Sequence, residues 1–213
     1  MRTTTLIAAL VAASAITALG VACTGESPTE AASLTTAHDD MFMGVGNSEQ
    51  AQAQYAELRQ WLAPLHNPAK AAAAGYTALF GCIDETTVGV SASNARGMGY
   101  HVTAGNRDIV GDGVISVTEP EFLVYAPAEN DAALAPEDRL AAARLVAVEY
   151  FVPGTTNDEF HQPADILGGS FVWVDRFQGW ARHVWVFGHN PAGINDNWNT
   201  AVRLCTDAIP FES

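Results

Sequence analysis

The chain has 213 residues, 48% of them hydrophobic and only 16% charged, and its net charge is −14. That balance excludes a wholly disordered chain and leaves enough apolar side chains for a proper core. So acidic a sequence, with no basic cluster, also lacks the attraction on which phosphate-backbone binding depends, and no nucleic-acid partner is expected.

The first residues read as an export signal. Met1-Arg2-Thr3 is weakly basic, and Leu6 to Ala22 is an unbroken run of apolar and small residues, short for a membrane-spanning helix. Gly20-Val21-Ala22-Cys23 resembles a bacterial lipobox, in which the cysteine becomes the lipidated first residue of the mature chain. Gly20 stands where that motif usually has an aliphatic residue, so ordinary cleavage near Ala22 is the alternative. Residues 1–22 are assigned as signal peptide. The expected location is the bacterial cell envelope, with the membrane reached only through lipid on Cys23; a secreted or periplasmic protein is the alternative. Residues 23–47, with their Ser, Thr, Ala, Gly and acidic side chains, read as a flexible tether. His38 and Met41 within it are copper-type ligands, but the segment reads as linker.

Residues 48–213 form the expected single globular domain. Asn47 or Ser48 is a suitable N-cap, and Tyr55, Leu58, Leu62 and Leu65 recur at helical spacing. Asn67-Pro68 restarts a short helix that Gly75 ends. Tyr76 to Cys82 lead out of it, and Ile83 to Arg96 reads as a polar loop. Strands are expected over Met98–Thr103 and Phe122–Tyr125, and a helical segment over Asp131–Ala143 starts at Pro136. An almost wholly apolar strand covers Leu145–Val152, and a further strand or rim covers Ser170–Val174. The strongest strand signal runs from Trp180 through His183, Trp185 and Phe187 towards His189, with Arg182, Val184 and Val186 on the other face. Helices collected at the front and separated strands behind predict an α+β fold: N-terminal helices packed on a curved, mainly antiparallel sheet or a small partial barrel.

Three cysteines are present. With Cys23 at the end of the signal, Cys82 and Cys205 remain as an even pair in an oxidising compartment, and one disulfide is predicted between them.

Glu149 is the most informative acid. It sits mid-strand among apolar neighbours, where a bare charge costs several kcal/mol, so it must be paired, metal-bound, protonated or placed at a rim. Candidate partners are His101, His183 and His189, with Arg182 as a possible cation. Imidazole and carboxylate from neighbouring strands can build a divalent transition-metal site or a general acid/base pair; the bland alternative is a structural hydrogen bond. No H-x-H or H-E-x-x-H spacing supports the metal. Trp173, Trp180, Trp185, Trp198, Tyr100, Tyr125, Tyr150 and Phe187 could line a pocket, but core is the favoured reading for each. Asp108 to Glu119 follows the calcium-loop template at positions one, five, six and twelve, but Val110 replaces a carboxylate and no helices flank it, so a turn-rich connection is the better account. There is no G-x-S-x-G and no phosphate-cradling glycine loop.

The order Ala73-Ala-Gly-Tyr76, Cys82, Gly97-Met-Gly-Tyr-His101, Pro120-Glu-Phe-Leu-Val-Tyr-Ala-Pro127, Leu145-Val-Ala-Val-Glu-Tyr-Phe-Val-Pro153, His183-Val-Trp-Val, Asn190-Pro-Ala-Gly193, Trp198-Asn199 and Cys205 resembles a family of bacterial exported proteins with no established activity. The resemblance implies export and a paired cysteine, and makes the Asp108 segment a generic Asp-Gly turn. The functional expectation is an exported protein binding a small ligand or metal ion through His101, Glu149, His183 and His189. A metal-dependent enzyme using the same residues and a structural or partner-binding envelope protein are the alternatives. Convergence of these side chains at an accessible cleft separates them.

Overall fold

The structure is a computed structural model and describes residues 48–104, 113–158 and 161–209. The expected signal peptide, Cys23, the expected tether with His38 and Met41, and residues 105–112 of the calcium-like segment lie outside them.

Helix α1 spans Glu49–Leu62. The Ser48 hydroxyl accepts the Ala51 N–H at 3.1 Å, and Glu49 places a carboxylate on the positive end of the helix. Ala51, Tyr55, Leu58 and Leu62 are buried at intervals of four and three, the stripe that docks the helix. Replacing Ser48 with Ala is expected to lower stability by about 1 kcal/mol. A urea titration should show this as a lower midpoint at unchanged slope. A single 3-10 turn, Ala63–His66, follows. Asn67 then caps α2, Pro68–Ala73, by accepting the Ala69 N–H, and Gly75 leaves the helix at φ 100°.

Six strands follow: β1 Tyr76–Asp84, β2 Gly97–Ala104, β3 Phe122–Ala126, β4 Arg144–Pro153, β5 Val172–Val174 and β6 Gly179–Trp185. Helix α3, Pro136–Ala142, lies between β3 and β4. All strand pairs are antiparallel, in the order β1-β2-β3-β4-β6-β5, and the sheet stays open. The fold is α+β, as expected. The nine-residue β1 replaces what the sequence suggested was a lead-out. Its pairing with β2 carries three register shifts, so its burial does not alternate and the usual strand signature is lost.

One face of the sheet packs against α1 and α2 through Tyr100, Val102, Leu123, Tyr125, Val148, Tyr150 and Val184. All five tyrosines of the chain belong to this layer, and each hydroxyl is satisfied. Tyr125 donates to Leu65 O, Tyr76 to Pro120 O and Tyr150 to Val117 O; Tyr55 donates to Trp185 O, and Tyr100 to the buried Asp131 carboxylate. The tyrosines are therefore core, with their polar ends used to fasten loops. Half of the opposite face is covered by the C-terminal stretch: Trp198, Ile194 and Val202 pack on Met98, Val124, Ala147 and Trp185.

The predicted disulfide is present. Cys82 on β1 and Cys205 have Cα atoms 5.8 Å apart and enclose a loop of 123 residues in sequence separation. Buried Asp84 reinforces the junction: one carboxylate oxygen accepts the Cys205 N–H at 2.8 Å and the other accepts from the Thr86 backbone and hydroxyl. Beyond the cysteine, Ala208 bridges Cys82 in parallel on the free side of β1, and Ile209 N–H donates to Cys82 O. Gly81 makes this possible, since a Cβ there would fall 1.8 Å from the Ile209 side chain. A disulfide of this kind belongs to an oxidising, exported environment.

Candidate functional site

The site spans four consecutive strands of the sheet, β2, β3, β4 and β6. Glu149 on β4 pairs directly with His183 on β6, and with Phe122 on β3; His101 on β2 pairs with Val124. Strand alternation points His101, Glu149 and His183 to the face opposite the helices. His101 Nε2 lies 3.5 Å from a Glu149 carboxylate oxygen, and the two imidazole rings are 6.4 Å apart between centroids. His183 also lies against Trp185, at 4.7 Å between ring centroids. Among the described residues no three His, Cys, Asp or Glu side chains already stand at metal-holding distances.

The protonation states follow from burial. Both histidines are 1% exposed, while the Glu149 side chain keeps 19% of its surface open. His101 Nδ1 lies 3.0 Å from Gly99 O. A carbonyl only accepts, so Nδ1 carries the hydrogen and Nε2 a lone pair. Burial pulls His101 down to about 4, against a smaller upward pull from the Gly99 carbonyl. Burial, with the His101 charge adding to it, holds His183 well below its ordinary value. Burial also pushes Glu149 up to about 7, and the Glu121 charge adds to the push. At neutral pH the site therefore holds two neutral imidazoles and a carboxyl near its midpoint. His101 Nε2 and both ring nitrogens of His183 have no hydrogen-bond partner.

The surroundings are aromatic. Phe122 lies 6.0 Å from the His101 ring and 5.9 Å from Phe80; Phe177 lies 5.8 Å from Phe80 and 6.4 Å from Phe151. Phe80 and Phe177 are 44% and 39% exposed, so this half of the face is an open apolar collar around the Glu149 carboxyl. A groove of about 630 Å³ exists elsewhere, lined by Arg144, Arg203, Glu129 and Thr200; it contains none of the three site residues.

Two sequence expectations are corrected. His189 does not join the cluster. Strand β6 ends at Trp185, where the N–H groups of Val186, Phe187 and Gly188 all turn to Val146 O. Alternation stops there: Phe187 packs instead against His66 and Arg59 beside α1, and His189 is exposed in the following turn. Nor is Arg182 the cation for Glu149. It points to the other face and donates to Ser170 O, Leu167 O and Asn195. Sequence reasoning missed Glu121, buried one residue before β3, whose carboxylate accepts the Phe151 N–H at 2.9 Å. It also missed Phe80, Phe122, Phe151 and Phe177, which come from four separate segments and share no spacing.

No protein family, curated protein or solved structure matches the chain.

Proposed function

We propose that this is an exported binding protein that captures a small ligand or a metal ion on the open half of its sheet, through His101, Glu149 and His183. The observation that carries this reading is three unpartnered imidazole nitrogens, buried beside a partly exposed carboxyl. Buried polar atoms are nearly always satisfied, so three orphans on one face call for an occupant. A purely structural role fits them less well, because a structural pair would satisfy its own nitrogens. The phenylalanine collar suits an apolar body next to the polar centre. Export rests on the disulfide and on the residues preceding Cys23. The lipid anchor on Cys23 rests on the lipobox resemblance alone; no helix among the described residues is long and apolar enough to cross a membrane. A metal-dependent enzyme remains the second reading, favoured by a carboxyl poised near pH 7, the range in which a general base works.

Trp185 supplies the test, since its ring stands against His183. Tryptophan emission is followed while the chain is titrated with zinc ion and, separately, with the neutral aromatic probe N-phenyl-1-naphthylamine. At least one is expected to give a saturable change that Trp185→Phe removes and His183→Asn weakens tenfold or more. A flat response to both, from folded protein, would count against the site.

A further inference from the structure

We infer that the occupant of this site is a divalent first-row transition-metal ion, seated between His101 Nε2 and the Glu149 carboxylate with His183 as its third ligand. The inference rests on the binding-site reading above and narrows it to one ligand chemistry.

The argument begins with the tautomer. Because His101 Nδ1–H is committed to Gly99 O, the nitrogen facing Glu149 is the one with the lone pair. Two electron-rich atoms therefore face each other in a buried site, an arrangement that is repulsive unless something positive lies between them. No lysine or arginine fills that role: Arg182 is on the opposite face, with its guanidinium bonded to Ser170 O, Leu167 O and Asn195. A shared proton or a metal ion remains.

The spacing separates these two. A charge-assisted hydrogen bond between a ring nitrogen and a carboxylate closes to about 2.7–2.9 Å. The observed separation is 3.5 Å. Two metal bonds of about 2.0–2.1 Å at a tetrahedral angle set nitrogen and oxygen about 3.3 Å apart, much nearer the observed gap. An Nδ1–H donating to a backbone carbonyl is also the usual support for an imidazole that binds metal through Nε2.

His183 is the ligand that must move. Two imidazoles on one tetrahedral ion have ring centroids about 5 Å apart, against the 6.4 Å found. Nothing polar holds the ring where it is, because both its nitrogens are unpartnered, so turning it towards the ion breaks no hydrogen bond. Glu149, the one member with an exposed side-chain surface, gives the ion its way in. Two imidazoles and one carboxylate form a donor set suited to zinc or its neighbours, and a fourth position stays open for water or a second ligand.

Cobalt(II) is the probe, since its visible absorption reports coordination number. The full tag-free chain, with its disulfide formed, is dialysed against cobalt(II) and the bound metal counted. About one equivalent is expected, with the intense absorption of a four- or five-coordinate ion. Glu149→Gln, which keeps shape, should lose at least tenfold in affinity, and His183→Asn should lose affinity and shift the spectrum. Retained near-ultraviolet circular dichroism shows that both variants are folded. Absence of bound metal in folded wild type, or equal binding by Glu149→Gln, overturns the inference. If cobalt and zinc fail while N-phenyl-1-naphthylamine binds and Glu149→Gln weakens it, the cation is wrong and the binding site stands. If every probe fails, both readings fall.

Discussion

Replacing Cys82 and Cys205 together by alanine is expected to cost about 3–5 kcal/mol of folding stability. The loop they close is 123 residues in sequence separation, and closing a loop that long removes about 5 kcal/mol of unfolded-state entropy in the chain model. Two local terms point the same way. Cys82 is buried in the main core, and the Asp84 carboxylate relies on the Cys205 N–H that the bridge holds in place. A buried acceptor that loses its donor adds about 1–3 kcal/mol if the arm swings away. Against this, native disulfides return less than the chain model whenever the unfolded state keeps structure. Urea unfolding of the oxidised protein and of the double variant gives the difference directly. A loss below about 1 kcal/mol would show that the C-terminal arm holds itself in place through Asp84 and Ile209, and that the bridge is secondary.

Glu149→Gln should stabilise the metal-free protein at high pH and do little at low pH. Glu149 is raised from 4.5 to about 7 in the fold, chiefly by burial. The folded state therefore holds this proton more tightly than the unfolded state, and stability falls as pH rises from about 4.5 to about 7. Glutamine mimics the protonated acid and removes that slope. The shift corresponds to about 3 kcal/mol at 1.36 kcal/mol per unit, and partial solvent exposure of the carboxyl lowers the expected gain to about 2–3 kcal/mol. The histidines act in the opposite sense. His101 is held near 4 against an ordinary 6.5, so its contribution is full above 6.5 and is lost as the pH falls towards 4. His183 shares that direction. Wild-type stability in chelator should therefore peak near neutrality, and the difference between wild type and Glu149→Gln should open between about pH 4.5 and about 7. Urea midpoints at pH 5, 6.5 and 8 check this. A pH-independent difference would mean that Glu149 is solvated and ionised throughout.

Much of the fold could be read locally. The α1 stripe, the Ser48 and Asn67 caps and the apolar run of β4 each announce themselves within a few residues, and the structure agrees. The trio of His101, Glu149 and His183 was legible for the same reason: on clean strands, alternation alone decides the face. Legibility failed where backbone regularity failed. The shifts in β1 hid a nine-residue strand. The shift opposite Tyr125 sends Leu145 to the helix side, although strict alternation would put it, four residues from Glu149, on the same face. The turn of Val186, Phe187 and Gly188 onto Val146 O took His189 out of the site. The phenylalanine collar was invisible for a different reason, since only tertiary pairing assembles Phe80, Phe122, Phe151 and Phe177.

The two margins of the sheet end differently. At one, β5 is only three residues long, too short to template much pairing with a second chain. At the other, β1 is nine residues long and would be an inviting template. Its outward hydrogen-bonding groups are met at Cys82 by the Ala208–Ile209 segment that the disulfide delivers. The bridge thus also holds a cap over one end of this edge: once reduced, the chain would be free to uncover that end as well, and copies could add to one another edge to edge. Under the export proposed above, the order of events matters: cysteine pairing late in folding would leave a window in which concentrated, unbridged chains can polymerise.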